Sequence, residues 1–340
     1  MLYTITRIED SITRQLIVDT DNKTIRTNSN SDIYPVMRLT TNNNDVVRIN
    51  KTSISYYNFE MLTYILTTNK SAFNAVYGRI YGIIPNNSEF RYHITKSQFY
   101  NAFNDDMTAW LEFFTSCSSE TRQTIISDHI TYDHDAKMSG VISLSTYVGK
   151  NRFCQARCRN CDNAICKYCY AASLTNCREG LKHRLIRMHG IFTSVVLTIA
   201  DIPVIDAKKY KYFRFESFGD INNTIQINNY NLFALANQGV NFTLWTKNPG
   251  IIQNAINNGM VLSDNLIIGL SSLYLNTPEL DKAQRYSFIR FLFTVYDDSY
   301  ITEHNVIINC GAKHCISCGI CYKYLHEFKH GLQLINERKK

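Results

Sequence analysis

Proline and glycine are scarce in this sequence, with 5 and 14 residues respectively among 340. With 45% hydrophobic and 19% charged residues, the composition excludes a collagen-like fibre, a coiled coil and a disordered tail, and it predicts a globular chain with a hydrophobic core. Long apolar runs are also missing. The most apolar run, residues 191–205, contains Thr193 and Asp201 and stays short of the ~20 residues that a membrane span needs.

The amino terminus lacks a basic stretch followed by an apolar one, which is the pattern of a secretory signal. We therefore expect a cytoplasmic protein with no membrane partner, in a reducing compartment where disulfides are rare. The sequence also lacks a Walker loop, a G-x-G-x-x-G motif and the Ser, His and Asp order of a hydrolase triad. These absences argue against nucleotide hydrolysis and Rossmann-type chemistry.

The length of the chain corresponds to about two domains of ~150 residues. Residues 1–138 contain a single cysteine and mix period-two with helical patterns, which predicts a mixed α/β module. Within it, Asp21 and Asn22 separate two alternating stretches and predict a hairpin turn, and aromatic residues at helical spacing are expected in the core. Residues 139–325 form the second predicted domain, and residues 326–340 a basic helix or tail.

Strands and helices alternate regularly in the second predicted domain. The predicted strands are Val141–Thr146, Tyr212–Ser217, Phe242–Lys247, Leu266–Ser271, Phe288–Val295 and Val306–Asn309. The predicted helices are Lys182–Ala200, Thr224–Gln238, Ile251–Asn258 and Pro278–Arg285. This alternation predicts an α/β fold with a parallel sheet, most simply a partial (βα)6 barrel. Such folds bind ligands at the carboxyl ends of their strands, so the loops after the first two strands should form the active face.

Ten of the eleven cysteines fall into two tight sets. The first set follows the first predicted strand with the spacing C-x3-C-x2-C-x4-C-x2-C-x7-C, and its members are Cys154, Cys158, Cys161, Cys166, Cys169 and Cys177. Closely spaced thiolates on one loop can converge on a single metal centre, whereas unligated thiols have no reason to cluster. The first set is therefore a predicted metal site.

The second set follows the sixth predicted strand and consists of Cys310, Cys315, Cys318 and Cys321. Its C-x4-C-x2-C-x2-C spacing is similar to the ligand loop of ferredoxins, in which four thiolates bind an iron–sulfur cubane. A structural zinc site with four cysteines is the alternative, but such sites more often combine two C-x2-C pairs from separate segments. The spacing therefore favours iron–sulfur over zinc.

Four stretches of the sequence together resemble the radical S-adenosylmethionine (SAM) superfamily. Cys166-Lys167-Tyr168-Cys169 looks like the C-x-aromatic-C end of its cluster motif and follows the first strand. With Glu216-Ser217-Phe218-Gly219-Asp220, Trp245-Thr246-Lys247 and the second cysteine set, the pattern resembles a phage-encoded branch of that superfamily labelled the gene product eighty-eight family. The likeness covers about residues 140 to 325 and leaves the amino-terminal part unexplained.

The resemblance implies two [4Fe-4S] clusters, one that binds SAM and one auxiliary cluster. Three thiolates would bind the first cluster and leave one iron open to the amino and carboxylate groups of SAM. An electron from an external donor would then cleave SAM to a 5′-deoxyadenosyl radical, which abstracts hydrogen from a nucleotide or macromolecular substrate. A phage-encoded member would act in the cytoplasm of the infected host.

Two choices of three cysteines fit the superfamily pattern differently. Cys154, Cys158 and Cys161 match the C-x3-C-x2-C spacing, but Asn160 stands where an aromatic residue is expected. Cys158, Cys166 and Cys169 place Tyr168 before the last cysteine with the spacing C-x7-C-x2-C. We favour the second choice, because the aromatic residue of superfamily members packs against the adenine of SAM. The remaining cysteines of the first set would then be free for a second metal.

The resemblance also implies residues that contact SAM. Tyr168 would pack against the adenine, and Glu216 with Gly219 and Asp220 would hold the ammonium group at the end of the second strand, as a carboxylate beside a close backbone approach allows. The other reading of Asp220 is a cap on the next helix. Two further residues at strand ends are Lys247, a candidate for the SAM carboxylate or a substrate phosphate, and Ser271, a candidate for the ribose.

A second hypothesis is a zinc-stabilised nucleic-acid-binding protein without catalysis. Lys and Arg exceed Asp and Glu by 36 − 29 = 7, which permits a polyanionic partner without requiring one. Basic residues around the first cysteine set, such as Arg157, Arg159 and Arg184, would contact phosphates, and interleaved tyrosines would stack on bases. A redox relay without SAM is a third hypothesis, and it would need every cluster to be fully coordinated.

Overall fold

The computed structural model describes most of the chain from residue 106 onward and separate stretches before it. The described residues are 2–9, 12–19, 24–27, 37–38, 46–49, 52–55, 63–64, 67–68, 91–93, 100, 103, 106–132, 136–160, 165–323 and 331–339. The chain divides into two compact units, Met1–Cys117 and Ser118–Lys340. The second unit begins earlier than the predicted residue 139, because Ser119 and Gln123 of the helix Ser119–His129 bond to Asp201 and the Ala200 carbonyl.

The described residues of the first unit include two small sheets and the helix Met107–Ser116. Its elements are β1 (Leu2–Glu9), β2 (Ile12–Asp19), β3 (Thr24–Thr27), β4 (Met37–Arg38), β5 (Val46–Ile49), β6 (Thr52–Ser55), β7 (Arg91–His93) and α1 (Met107–Ser116). The sheets have the orders β1-β2-β3-β4 and β5-β6-β7. Antiparallel pairing of Asp19 with Thr24 confirms the predicted hairpin, whose turn residues lie outside the described residues. Phe103 and Trp110 are buried, as predicted for aromatics at helical spacing.

The second unit is built on a six-stranded parallel sheet with the order β13-β12-β11-β10-β9-β8. The strands are β8 (Ile142–Leu144), β9 (Tyr212–Phe215), β10 (Asn241–Thr246), β11 (Leu266–Ser271), β12 (Ile289–Tyr296) and β13 (Gln333–Arg338). The helices are α2 (Ser119–His129), α3 (Arg152–Asn160), α4 (Tyr170–Cys177), α5 (Glu179–Ser194), α6 (Thr224–Ala236), α7 (Gly250–Asn257), α8 (Leu280–Gln284), α9 (Asp298–His304) and α10 (Cys315–Cys318). The predicted α/β class is confirmed, and five predicted strands coincide with β8 to β12.

The sixth strand lies elsewhere than predicted. Residues 306–309 are irregular, and Ile307 is exposed. They lie beside β13 through single bonds, such as the 3.2 Å bond from the Asn309 amide to the Asn336 carbonyl. The strand is Gln333–Arg338, in the part predicted as a basic helix or tail, because Ile335 is fully buried opposite Phe293 of β12. The second cysteine set therefore lies between β12 and β13 rather than after the sheet.

The two faces of the sheet have different partners. On one face Phe213, Phe215 and Phe242 pack against Tyr230 and Phe233 of α6. On the other face Trp245, Phe291 and Phe293 pack against Cys310, Cys315, Cys321 and Tyr322 of the second cysteine segment. Gly269 allows the Phe291 ring to pack on this second face, since a Cβ atom at position 269 would collide with that ring. The second cysteine segment thus covers one face of the sheet where a helix would otherwise pack.

None of the helices in the described part of the chain combines the length and apolarity needed to cross a membrane. The longest of them, α5, has 16 residues and carries Lys182, Arg184 and Arg187.

Candidate functional site: a cysteine-lined cavity

A cavity of about 360 Å³ lies on the face of the sheet that the second cysteine segment covers. Its volume is within the range of ~300–1,000 Å³ that is typical of small-molecule sites. All lining residues belong to the second compact unit. Seven cysteines line it: Cys154, Cys166, Cys169, Cys310, Cys315, Cys318 and Cys321. The structure therefore brings both predicted cysteine sets to one cavity.

The first cysteine set is held against the ends of β8 and β9. Asn151 accepts a 3.0 Å bond from the Cys154 amide and donates a 2.6 Å bond to the Asp220 carbonyl. Cys166 lies in the 3-10 helix Ile165–Tyr168, and Cys169 is the N-cap residue of α4. Burial raises the pKa of the Cys154 thiol, Asp220, Cys166 and Cys169 add to this effect, and Lys247 opposes it. Three thiols of the first set therefore interact electrostatically.

The described residues place Cys154, rather than a cysteine of one contiguous motif, beside Cys166 and Cys169. This combination has the spacing C-x11-C-x2-C, which neither predicted choice contains. Cys158 lies on the backbone of α3, but its side chain is outside the described part, as is that of Tyr168. Cys161 lies outside the described residues altogether, and Cys177 is exposed at the end of α4.

The second cysteine set is anchored on the sheet by aromatic packing. The ring of Tyr322 stacks on Tyr212 with centroids 4.6 Å apart, and the Tyr322 carbonyl accepts a 2.7 Å bond from Asn241. Burial raises the pKa of the Cys321 thiol, and the neighbouring thiols of Cys310, Cys315 and Cys318 add to it. No disulfide joins any two of the nine cysteines that the structure describes. The four thiols of the second set thus influence one another electrostatically, on a segment anchored to β9 and β10.

Two cations adjoin the second set. Lys137 places its Nζ atom 3.1 Å from the Cys310 Sγ atom and 2.5 Å from the Glu337 Oε1 atom. Burial acts against the charge of Lys137, but the bonds to Glu337 and Cys310 outweigh it and raise its pKa. The charge of Arg214 acts on the thiols of Cys315 and Cys321 and lowers their pKa values against the effect of burial. The second set therefore lies beside two cations, of which Lys137 is paired with the Glu337 carboxylate.

Glu216 is completely buried at the end of β9 and has a positive φ of 54°. Its Oε1 atom accepts bonds from Thr146 Oγ1 at 2.9 Å, Gln226 Nε2 at 2.6 Å and the Tyr230 hydroxyl, and its Oε2 atom accepts the Thr146 amide at 3.2 Å. Burial raises the pKa of Glu216 to about 7, although these donors oppose the rise. Gly219 passes so close that a Cβ atom there would collide with Oε2. The carboxyl group therefore fixes the loop after β9 as well as lining the cavity.

Asp220 joins the loop after β9 to the end of β10. Its carboxylate accepts bonds from Thr246 Oγ1 at 2.5 Å, the Lys247 amide at 2.9 Å and the Ile221 amide at 2.8 Å. It does not cap the next helix, because Asn223 is the N-cap residue of α6. Burial raises the pKa of Asp220, and Lys247 opposes the rise. Asp220 and Lys247 line the cavity at their strand ends, as do Gly219 and Ser271.

The sequence did not single out several residues of the cavity wall. The guanidinium of Arg214 lies 4.1 Å from the centre of the Trp245 ring, and both residues line the cavity with Lys137 and Glu337. Arg214 had a signal in the sequence, since it is the only charged residue in the otherwise aromatic strand Tyr212–Phe215. Lys137 and Glu337 had none, because their contact depends on the placement of β13.

The described side chains do not form a preorganised site for a single metal ion. Among the residues that the structure describes, no three His, Cys, Asp or Glu side chains are grouped as the ligands of one metal ion. The thiols are instead distributed over the wall of the cavity in a set of three and a set of four.

Comparison of the chain with protein-family models, curated proteins and solved structures gives no match. Function therefore has to be inferred from the cavity and its residues.

Proposed function

We propose that this chain is an iron–sulfur enzyme of the radical SAM type, in which the two cysteine sets hold two clusters at one substrate cavity. The observation that carries the proposal is the convergence of both sets on the cavity at the ends of parallel strands. Residues 154 and 321 are far apart in the sequence, so this convergence is a property of the fold rather than of local spacing. The six parallel strands in sequential order support a partial barrel as the finer architecture.

The distribution of the thiols supports clusters over single ions. Sulfur atoms bound to one zinc ion at ~2.3 Å lie within about 4 Å of one another. The thiolates of a cubane are farther apart, because each binds a different iron atom. Among the described residues, the two sets of thiols line a cavity without grouping around one point, which suits a cubane cluster better than a single ion.

The number of thiols assigns the two clusters. Cys154, Cys166 and Cys169 are the proposed ligands of the SAM-type cluster, because they are the thiols of the first set that line the cavity among the described residues, and three thiolates leave one iron without a protein ligand. Cys310, Cys315, Cys318 and Cys321 are the proposed ligands of a fully coordinated auxiliary cluster. When bound, the first cluster and SAM would supply a 5′-deoxyadenosyl radical for hydrogen abstraction, with electrons from an external donor.

Side chains at the strand ends are the proposed binding partners of SAM. Glu216 Oε1 already accepts three bonds and Oε2 only one, so an ammonium group of SAM would be bound through Oε2 beside Gly219. The charge of Lys247 acts to lower the pKa values of both Asp220 and Cys154. Lys247 is the proposed partner of the SAM carboxylate. We also propose a reducing compartment, the cytoplasm, because the described cysteines form no disulfide with one another.

Anaerobic spectroscopy tests the proposal. Protein reconstituted with iron and sulfide should bind about eight of each, absorb broadly in the visible, and change its electron paramagnetic resonance spectrum when SAM is added. Reduced protein with SAM should release 5′-deoxyadenosine. A colourless protein that binds only zinc would overturn the proposal and favour the structural zinc alternative. Iron–sulfur clusters that never respond to SAM would reduce the function to a redox relay.

A further inference from the structure

Three polar groups of the cavity wall lack a hydrogen-bond partner among the described residues. Six buried side-chain nitrogen or oxygen atoms lack a hydrogen-bond partner among the described residues, and three of these belong to residues that line the cavity: Arg214 Nε, Trp245 Nε1 and Ser217 Oγ. Buried polar groups are nearly always hydrogen-bonded in folded proteins, because an unmade bond costs about 1–3 kcal/mol. Their grouping in one cavity indicates a ligand that supplies acceptors.

Arg214 is the charged member of this group. Its face lies against the Trp245 ring, and the only bond found for its guanidinium is a weak one of 3.9 Å to the sulfur of Met138. Within the described part of the chain no carboxylate pairs with it, whereas Lys137 nearby is paired with Glu337. A guanidinium keeps its charge and offers donors in a planar fork that matches carboxylate and phosphate groups. Arg214 thus lines the cavity without a carboxylate partner among the described residues.

Ser217 is the most buried member, with 8% of its surface exposed. Its backbone is fixed on both sides, because its amide donates to Ser145 Oγ at 2.9 Å and its carbonyl accepts the Tyr170 hydroxyl. The hydroxyl therefore has a defined position without a protein partner. Trp245 is fixed in turn by packing on Phe293, with ring centroids 4.3 Å apart. Fixed donors of this kind are typical of a preorganised binding site.

We propose that the cavity binds a small molecule carrying an oxyanion, a carboxylate or a phosphate, which accepts hydrogen bonds from Arg214 and Trp245, while Ser217 bonds a further acceptor of the same molecule. This inference rests on the proposed function only in naming that molecule as the substrate. Arg214 and Trp245 lie within β9 and β10, whereas Glu216 and Lys247, the residues proposed for SAM, follow the ends of these two strands.

Thermal unfolding of the anaerobically loaded protein provides the test. Inorganic phosphate and acetate serve as the two probes, at constant ionic strength with chloride as the reference, and they distinguish a phosphate from a carboxylate ligand. A ligand that binds only the folded chain raises the unfolding temperature in a saturable manner. We expect this rise with at least one probe, and a loss of affinity of about tenfold or more for Arg214→Gln. Arg285→Gln, an exposed arginine that does not line the cavity, is the matched control.

Tryptophan emission gives a second measurement. The chain has two tryptophans, so Trp110→Phe leaves Trp245 as the sole reporter in protein before iron loading. Phosphate or acetate should change this emission in a saturable manner that Arg214→Gln removes. Absence of saturable binding by both methods would overturn the proposal. An equal loss in the Arg214 and Arg285 variants would also overturn it. So would an Arg214 variant that keeps anion binding and changes only the visible spectrum of the clusters. Iron and sulfide counts on the same samples report separately on the proposed function.

Discussion

The ammonium group of Lys137 lies 3.1 Å from the Cys310 thiol and joins it to Glu337 on the edge strand β13. Three parts of the second unit meet at this contact: the 3-10 helix Ala136–Met138, the second cysteine segment and the sheet edge. Bonds from N–H groups to a coordinating sulfur, together with nearby positive charge, stabilise the reduced and more negative form of a cluster. Lys137 would therefore influence the potential of the auxiliary cluster that we propose for this set.

Lys137→Met should lower the reduction potential of the auxiliary cluster, because it removes a positive charge and a donor to Cys310. The expected change is tens of millivolts, since ~1.4 kcal/mol corresponds to ~59 mV for one electron. A redox titration followed by electron paramagnetic resonance measures it. Lys282→Met is the control, because Lys282 pairs with Glu279 at 3.1 Å and does not line the cavity. Equal potentials in both variants would show that Cys310 does not bind the cluster.

Cys154→Ser should remove the SAM-responsive cluster and leave the auxiliary one, which halves the iron and sulfide content. The reason is that Cys154 lines the cavity with Cys166 and Cys169. Cys177→Ser is the control, since Cys177 is exposed and does not line the cavity. Loss of the cluster in Cys158→Ser combined with its retention in Cys154→Ser would instead establish the C-x7-C-x2-C choice.

The free energy of unfolding should depend on pH through Glu216. Burial raises its pKa from an ordinary 4.5 to about 7, so the folded state binds this proton more tightly than the unfolded state. Stability should therefore fall as the pH rises from about 4.5 to 7, by an amount on the order of 3 kcal/mol from this group. Denaturant titrations at several pH values measure it. Glu216→Gln should flatten the dependence, whereas Glu303→Gln, at an exposed position, should keep it.

Two glycine-to-alanine changes should act in opposite directions. Gly219→Ala should destabilise the chain by ~1–3 kcal/mol, because the added methyl group meets the fixed Oε2 atom of Glu216. Gly180→Ala should stabilise it by about 0.5–1 kcal/mol, since Gly180 lies in α5 with open space around its Cα atom. Denaturant midpoints of the two variants measure both effects. A neutral Gly219→Ala would mean that Glu216 can move, and the loop after β9 would then not be fixed by this contact.

Apolar patterning was sufficient to predict five of the six strands in the second unit. It failed for the sixth, because Val306–Asn309 is more apolar than Gln333–Arg338, and only Ile335 of the latter is fully buried. The helix predicted to run to Ala200 ends at Ser194 for a long-range reason. The side chain of Asn229 on α6 accepts from the Leu197 amide and donates to the Phe192 and Val195 carbonyls at the end of α5.

Cysteine spacing predicted two sets of thiols but neither their meeting at one cavity nor which thiols line it. The position of Cys154 depends on Asn151, whose side chain links α3 to the Asp220 carbonyl of a distant loop. The role of Asp220 depends in the same way on Thr246 and Lys247 of the neighbouring strand. Such bonds join residues many positions apart, and a pattern of neighbouring residues carries no information about them.

The position of β13 after both cysteine sets implies an order of events during synthesis. All seven cavity cysteines leave the ribosome before Gln333, and Glu337 follows them. Pairing between distant strands is slow compared with local folding, and amino-terminal parts fold first. Under the proposed function, the thiols of Cys310 and its neighbours would therefore take up their cluster before the edge strand docks. Loading before this closure would spare the finished protein from reopening its sheet.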